Sequence, residues 1–168
     1  MQPLRRRTLI AFLAAAIPTT VMSQNIRRIS WDDLLSQDPN LDFKRILGCW
    51  PHLSFGKVRP IAMSALGTCF FERADGPVLS LSPIEGTVTE IAASEDAFRT
   101  AVNHPEWQER HLHVSVVAAI LERSLKRTGV QVFGFAPHPR FGGIDPKRAV
   151  VLDATVWHSI SSQSFVRQ

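Results

Sequence analysis

Val130-Gln-Val-Phe-Gly-Phe-Ala-Pro-His-Pro-Arg-Phe-Gly-Gly143 is the stretch that orders the rest of the chain. It opens as an apolar strand from Val132 to Phe135, with Phe133, Gly134 and Phe135 as its structural motif, and then breaks into a loop with two prolines and a closing glycine pair. Proline fixes φ and removes a donor, while paired glycines permit positive φ and close backbone approach. Such a loop between two buried strands is built to follow one path. The answering strand is Val150-Val-Leu-Asp153, and the tail carries Trp157, His158 and Gln163. Loops carry recognition more often than the strands that hold them. Pro137, His138, Arg140, Phe141, Gly142 and Gly143 are therefore the expected partner-binding residues, with Arg140 exposed. The competing reading is that this loop only closes the sheet.

Working backwards, residues 112–128 read as one long helix. Val116, Ala119, Ile120 and Arg123 carry its pattern, Leu121 and Leu125 widen the stripe, and Gly129 ends it. Before it, Ser94 caps a shorter helix whose first turn holds Glu95 and Asp96 and whose apolar face pairs Phe98 with Val102. Residues 61–66, 68–71, 78–81 and 87–91 read as short strands. Turns at Ala74-Asp75-Gly76 and Pro83-Ile-Glu-Gly86 join them into an antiparallel meander of three or four strands. Gly67, between the first two, predicts a bend, a bulge or a close backbone approach. Nearer the N-terminus, Ser30 and Asp33 suggest a capping box for a helix running to about Gln37. Asp42 to Leu47 suggests a second helix, stopped by Gly48. The last segment, from Ala154, fits an amphipathic helix capped by Asp153, although its alternation also allows a strand. The fold class expected is α+β: a mainly antiparallel sheet, meander plus two C-terminal strands, with helices packed against it.

Composition narrows the function. The 168 residues allow one domain and a leader, and 45% hydrophobic residues are enough for a core. The formal charge of +4 owes much to Arg5, Arg6 and Arg7; setting these three aside leaves 16 basic residues against 15 acidic. A domain this close to neutral lacks the electrostatic footprint of a nucleic-acid binder. Residues 1–23 follow signal-peptide grammar: the arginine run, an apolar stretch from Leu9 to Ile17, then small residues before Gln24. The apolar stretch is too short for a permanent anchor, so no stable membrane insertion is expected once the leader is removed. A cleaved leader implies the periplasm. A true start at Met22 would instead imply the cytoplasm. Residues 24–168 make up the folded domain in either case.

Catalytic grammar is sparse. His111 and His113 are two apart at what reads as a helix start, where that spacing points them to different sides. No Cys-x-x-Cys or His-Glu-x-x-His accompanies them, so neither a metal nor a cofactor is expected. Cys49 and His52 are close in sequence, but no orienting acid is evident, and packing is the simpler role. Cys49 and Cys69 would pair only in an exported chain; the plainer reading is two small buried hydrophobes. Ser159, Ser161 and Ser162 near His158 lack a nucleophile elbow. Asp153, His158 and Gln163 suggest a polar cluster, or else a cap at Asp153 with His158 and Gln163 satisfying buried backbone groups.

The order of motifs resembles a small bacterial family. Ser30-Trp-Asp-Asp-Leu34, Ser64-Ala-Leu-Gly67 with Phe70-Phe71, Gly76-Pro-Val-Leu-Ser-Leu81 and Gly86-Thr-Val-Thr-Glu-Ile91 are similar to its first half. Phe133-Gly-Phe-Ala-Pro137, Phe141-Gly-Gly143, Val151-Leu-Asp153 and Trp157-His-Ser-Ile160 through Gln163 are similar to its second. The family is that of type VI secretion immunity proteins, specifically the C-terminal domain of those that neutralise DNase effectors. Its pattern has Leu where Phe141 stands and Gly where Ser162 stands. The resemblance spans residues 29–165. It implies a non-enzymatic protein whose partner is a cognate secreted toxin, a nuclease effector. Two other functions stay open on the residues alone: a protein-binding module of the cell envelope, and a hydrolase using His158 or Cys69.

Overall fold

The structure, a computed structural model, describes residues 28–166. The leader-like segment and the alternative start at Met22 lie outside the described residues. The fold is α+β, and capping chemistry sets most of its element boundaries. Ser30 and Asp33 form the full reciprocal capping box on α1 (Trp31–Leu34). The helix then stops after one turn instead of reaching Gln37, because Leu35–Ser36 (β1) pairs with Ser64 and Met63 of β2 (Val58–Ser64). A strand ladder there satisfies backbone groups that a longer helix would leave facing the sheet. Asp42 accepts from the Arg45 amide and starts α2 (Phe43–Gly48).

The meander continues antiparallel through β3 (Cys69–Arg73), β4 (Val78–Ser82) and β5 (Thr87–Ala92), in the spatial order β1-β2-β3-β4-β5. That is five strands, one or two more than the sequence suggests, because the two-residue β1 carries no periodicity to read. The bend anticipated at Gly67 is the β2–β3 turn itself, with the Gly67 amide donating to Ser64 O at 2.9 Å and the Ser64 amide to Thr68 O at 2.8 Å. Gly67 sits at φ +91, and an added Cβ would lie 2.8 Å from Trp157 Cδ1. Close approach and left-handed backbone therefore both demand glycine here.

Ser94 caps α3 (Glu95–Ala101) as expected. The long helix expected over 112–128 is corrected to the shorter α5 (Val114–Glu122), preceded by a helix the sequence reading left out, α4 (Pro105–Leu112), with His113 left-handed between them at φ 52. Proline is at home in a first helical turn, so Pro105 opens α4. The Glu109 carboxylate accepts from both the amide and the hydroxyl of Ser115, which pins the break. The buried residues of α5 are Val117, Ile120 and Leu121; Val116 and Ala119 are only half-buried. The helix ends at Glu122, seven residues before Gly129, and Ser124 adopts φ 62 just beyond it.

β6 (Gln131–Phe135) and β7 (Ala149–Asp153) form a separate antiparallel pair, fastened to the meander where the Phe133 amide donates to Ala65 O at 2.8 Å. Asp153 Oδ1 accepts from the Thr155 and Val156 amides and starts α6 (Ala154–Val166), which resolves the last segment as helix. Trp50, Met63, Leu66, Phe70, Phe71, Leu81, Ile120, Phe133 and Trp157 fill the core at full burial. Phe135 is buried too, with its ring edge toward Trp157. Gly134 is the floor beneath Trp157: a Cβ there would meet Leu152 Cδ1 at 2.8 Å and Trp157 Cε3 at 2.9 Å.

Candidate functional site

The loop at 137–143 leaves β6 through a cis Ala136–Pro137 peptide and folds back over the end of α6. His138 and Pro139 are buried; Pro137, Arg140, Phe141, Gly142 and Gly143 are exposed. His138 works as a peg. Its Nδ1 accepts from the Arg140 amide at 3.2 Å, so the proton sits on Nε2, which donates to Pro83 O in the β4–β5 turn at 3.0 Å. Its ring lies 5.1 Å from that of Trp157 and 5.7 Å from that of Phe165. The loop closes on itself as well, with the Phe141, Gly142 and Gly143 amides donating to His138 O, Pro139 O and Pro139 O.

Arg140 is exposed but occupied. Its guanidinium donates to Ser164 O and lies 4.7 Å over the Phe165 ring. The last carbonyls of a helix lack internal donors and carry partial negative charge, so a cation is well placed at the end of α6. Its first role is to clamp loop to helix. Beside it, Phe141 is 68% exposed and Ile160 45% exposed. These two, with Arg140, Gln163 and Ser164, line a shallow depression of about 420 Å³.

Gln163 thus belongs to the surface. The expectation that it satisfies buried backbone is corrected: it is exposed, and its amide reaches only Ser159 Oγ, at 3.4 Å. A helical spacing of five or ten residues carries side chains round the axis, so Asp153, His158 and Gln163 form no cluster. Asp153 caps, His158 is interior, Gln163 faces out.

His158 is fully buried, and it does satisfy backbone. Nδ1 accepts from Trp50 Nε1 at 2.9 Å, which places the proton on Nε2, 2.7 Å from Gly67 O. Trp157 Nε1 donates to the adjacent Leu66 O at 3.1 Å. Cys69 Sγ lies 3.6 Å from His158 Nε2. Burial pushes His158 down to about 4 and raises the Cys69 thiol, so the pair is held as neutral imidazole and neutral thiol, the opposite of what an activated nucleophile needs. Cys49, half-buried, donates its thiol toward Arg45 O, and both cysteines are free. His52 packs its ring against Trp50.

His111 ends α4 stacked 4.5 Å from Trp107, while His113 forms the helix break. Burial lowers both imidazoles below their ordinary value. Among the described residues no group of three or more His, Cys, Asp or Glu converges as a metal site, and no helix is long and apolar enough to cross a membrane.

Sequence reasoning missed Trp50, Pro83, Ile160 and Phe165 as site residues. Val156, Ile160 and Gln163 fall at i, i+4 and i+7, which names one face of α6. Trp50 and Pro83 left no such signal, because their partners are 108 and 55 residues away.

No family model matches the chain, and no curated protein does. Among solved structures it is similar to the crystal structure of Atu4351 from Agrobacterium tumefaciens, with a TM-score of 0.58 and 18% identity over 80% of this chain and 68% of that one. A likeness at that identity speaks to the fold alone, a small α+β domain, and function has to be argued from the site.

Proposed function

We propose that this protein is a non-enzymatic immunity protein that binds a cognate secreted toxin and occludes its site. The toxin class implied by the sequence resemblance is a nuclease effector of a type VI secretion system. The observation that carries the reading is Phe141 beside Ile160, two large apolar side chains held in solvent on backbone that is otherwise pegged down. A rigid apolar pair with a polar rim is the kind of anchor from which protein interfaces draw most of their energy. Because His138 and Arg140 fix the loop beforehand, little ordering cost remains at association.

The test is co-expression with nuclease effectors of type VI secretion systems, beginning with any that the host encodes beside the gene, with host survival and the affinity of the purified pair as readouts. The expected result is protection by the intact protein, with Phe141→Ser and Ile160→Ser each weakening the complex about thirtyfold. Unaltered affinity in both variants, or no protection by the intact protein, overturns the reading. The signal-like grammar of residues 1–23 favours a second reading, a protein-binding module of the cell envelope. The mass of the mature N-terminus in its host decides between them: cleavage before Gln24 favours the envelope module, and a start at Met22 favours a cytoplasmic antidote.

A further inference from the structure

We infer that His138 and His158 form a two-proton latch that fastens α6 and the loop at 137–143 to the meander at neutral pH and releases them as the solution turns acid. In a meander alternate turns lie at the same end of the sheet. The β2–β3 turn offers Gly67 O to His158, and the β4–β5 turn offers Pro83 O to His138. Both imidazoles are wired alike, with Nε2 donating to a turn carbonyl and Nδ1 accepting from an N–H, of the Trp50 indole in one case and the Arg140 backbone in the other. The neutral ring fills both roles. A second proton must go to Nδ1, where an N–H would then face an N–H. Each protonation therefore breaks one hydrogen bond, buried at His158 and part-buried at His138, and leaves a charge in the junction.

Only the two turn carbonyls favour that charge, and burial outweighs them at both rings. His158 faces the Trp50 indole beyond α2, the Cys69 thiol on β3 and the Gly67 carbonyl. His138 faces the Pro83 carbonyl, the Trp157 and Phe165 rings of α6 and the Arg140 cation, which adds repulsion. Among the described residues no carboxylate acts on either ring. Burial accordingly lowers both groups, His158 to about 4. A histidine lowered in the fold contributes its full stability above its ordinary value near 6.5. That contribution is lost as pH falls from 6.5 toward 4. Phe141, Ile160 and Gln163 ride on the elements that the latch holds, so acid would dismantle the partner face. This last consequence rests on the function proposed above; the latch itself does not.

Acid also weakens two carboxylates held low by arginines, Asp75 by Arg73 and Glu95 by Arg99 and Arg59. Asp75 lies in the β3–β4 turn, at the opposite end of the sheet, so position separates the two effects. The experiment is amide hydrogen exchange on the intact protein without partner, from pH 7 to 4.5, corrected for intrinsic exchange. The latch predicts that amides of β6, β7 and α6 lose at least tenfold more protection than those of β3 and β4. In His138→Gln and His158→Gln, where an amide supplies donor and acceptor without titrating, that difference shrinks. Parallel loss in both regions, or an undiminished difference in both variants, overturns it. Should the variants not fold, ring NMR of the intact protein decides. Titration of both rings together with loss of protection supports the latch, and independent titration near 6.5 with protection intact defeats it. No toxin enters these measurements, so failure here leaves the immunity reading standing, and the reverse holds.

Discussion

The two faces of α6 differ more than any other two surfaces in the molecule. Inward, Trp157 and His158 are fully buried, and each polar atom of their rings meets a partner from a distant element. Outward, Val156 and Ile160 are 48% and 45% exposed, and Ile160 lines the same shallow depression as Phe141. Both faces mix apolar and polar residues, with Ala154, Trp157, His158, Ser161 and Ser162 buried inward and Val156, Ile160 and Gln163 exposed outward. What separates them is whether backbone from the meander covers the side chain. An apolar residue under that cover belongs to the fold, and one beyond it is available to a second molecule.

The largest expected effect tests the inner face. His158→Ala leaves Trp50 Nε1 unpaired beside a void and Gly67 O with only the weak Cys69 thiol donor, and should cost about 4 kcal/mol in chemical denaturation. A loss under half of that would mean the junction is softer than its bonds imply. Gly67→Ala comes next: its Cβ meets Trp157 at 2.8 Å on a backbone at φ +91, for an expected loss of about 3 kcal/mol by the same measurement. The outer face should behave in the opposite way. Phe141→Ser and Ile160→Ser should each move stability by no more than about 0.5 kcal/mol while weakening the proposed partner complex, and calorimetry of both properties on one preparation separates fold from function. A large loss of stability in either would merge the two faces. On stability, the hinge between them should fall between the two faces. Arg140→Ala removes the clamp on Ser164 O and Phe165 and should lower stability by about 1 kcal/mol, with faster amide exchange confined to the last turn of α6.

Local chemistry was readable in the chain. Ser30, Ser94 and Asp153 cap the helices their positions announce, because an N-cap needs only one side-chain oxygen and the amides two or three residues ahead. The turns at Gly67, Gly76 and Gly86 were equally plain. The errors fall where a distant element overrides a local pattern. The helix after Ser30 stops for the strand bond between Leu35 and Ser64. The helix expected from Leu112 starts at a break set by Glu109, and the helix before that break, Pro105–Leu112, went unread. Of the candidate site, the loop at 137–143 was visible from its prolines and glycines, but its division into buried pegs and an exposed tip was not. His138 is buried by Pro83, and Phe141 is exposed because nothing reaches it.

The sequence by itself determined the caps, the turns and the alternation of strands, all of which rest on interactions within a few residues. Tertiary structure alone decided which side of α6 turns inward, and which carbonyls its histidine and its neighbour in the loop would hold. Helical periodicity could not settle this, since apolar residues ring the helix. The choice fell to bonds such as Trp157 to Leu66, made across 91 residues once the chain had closed on itself.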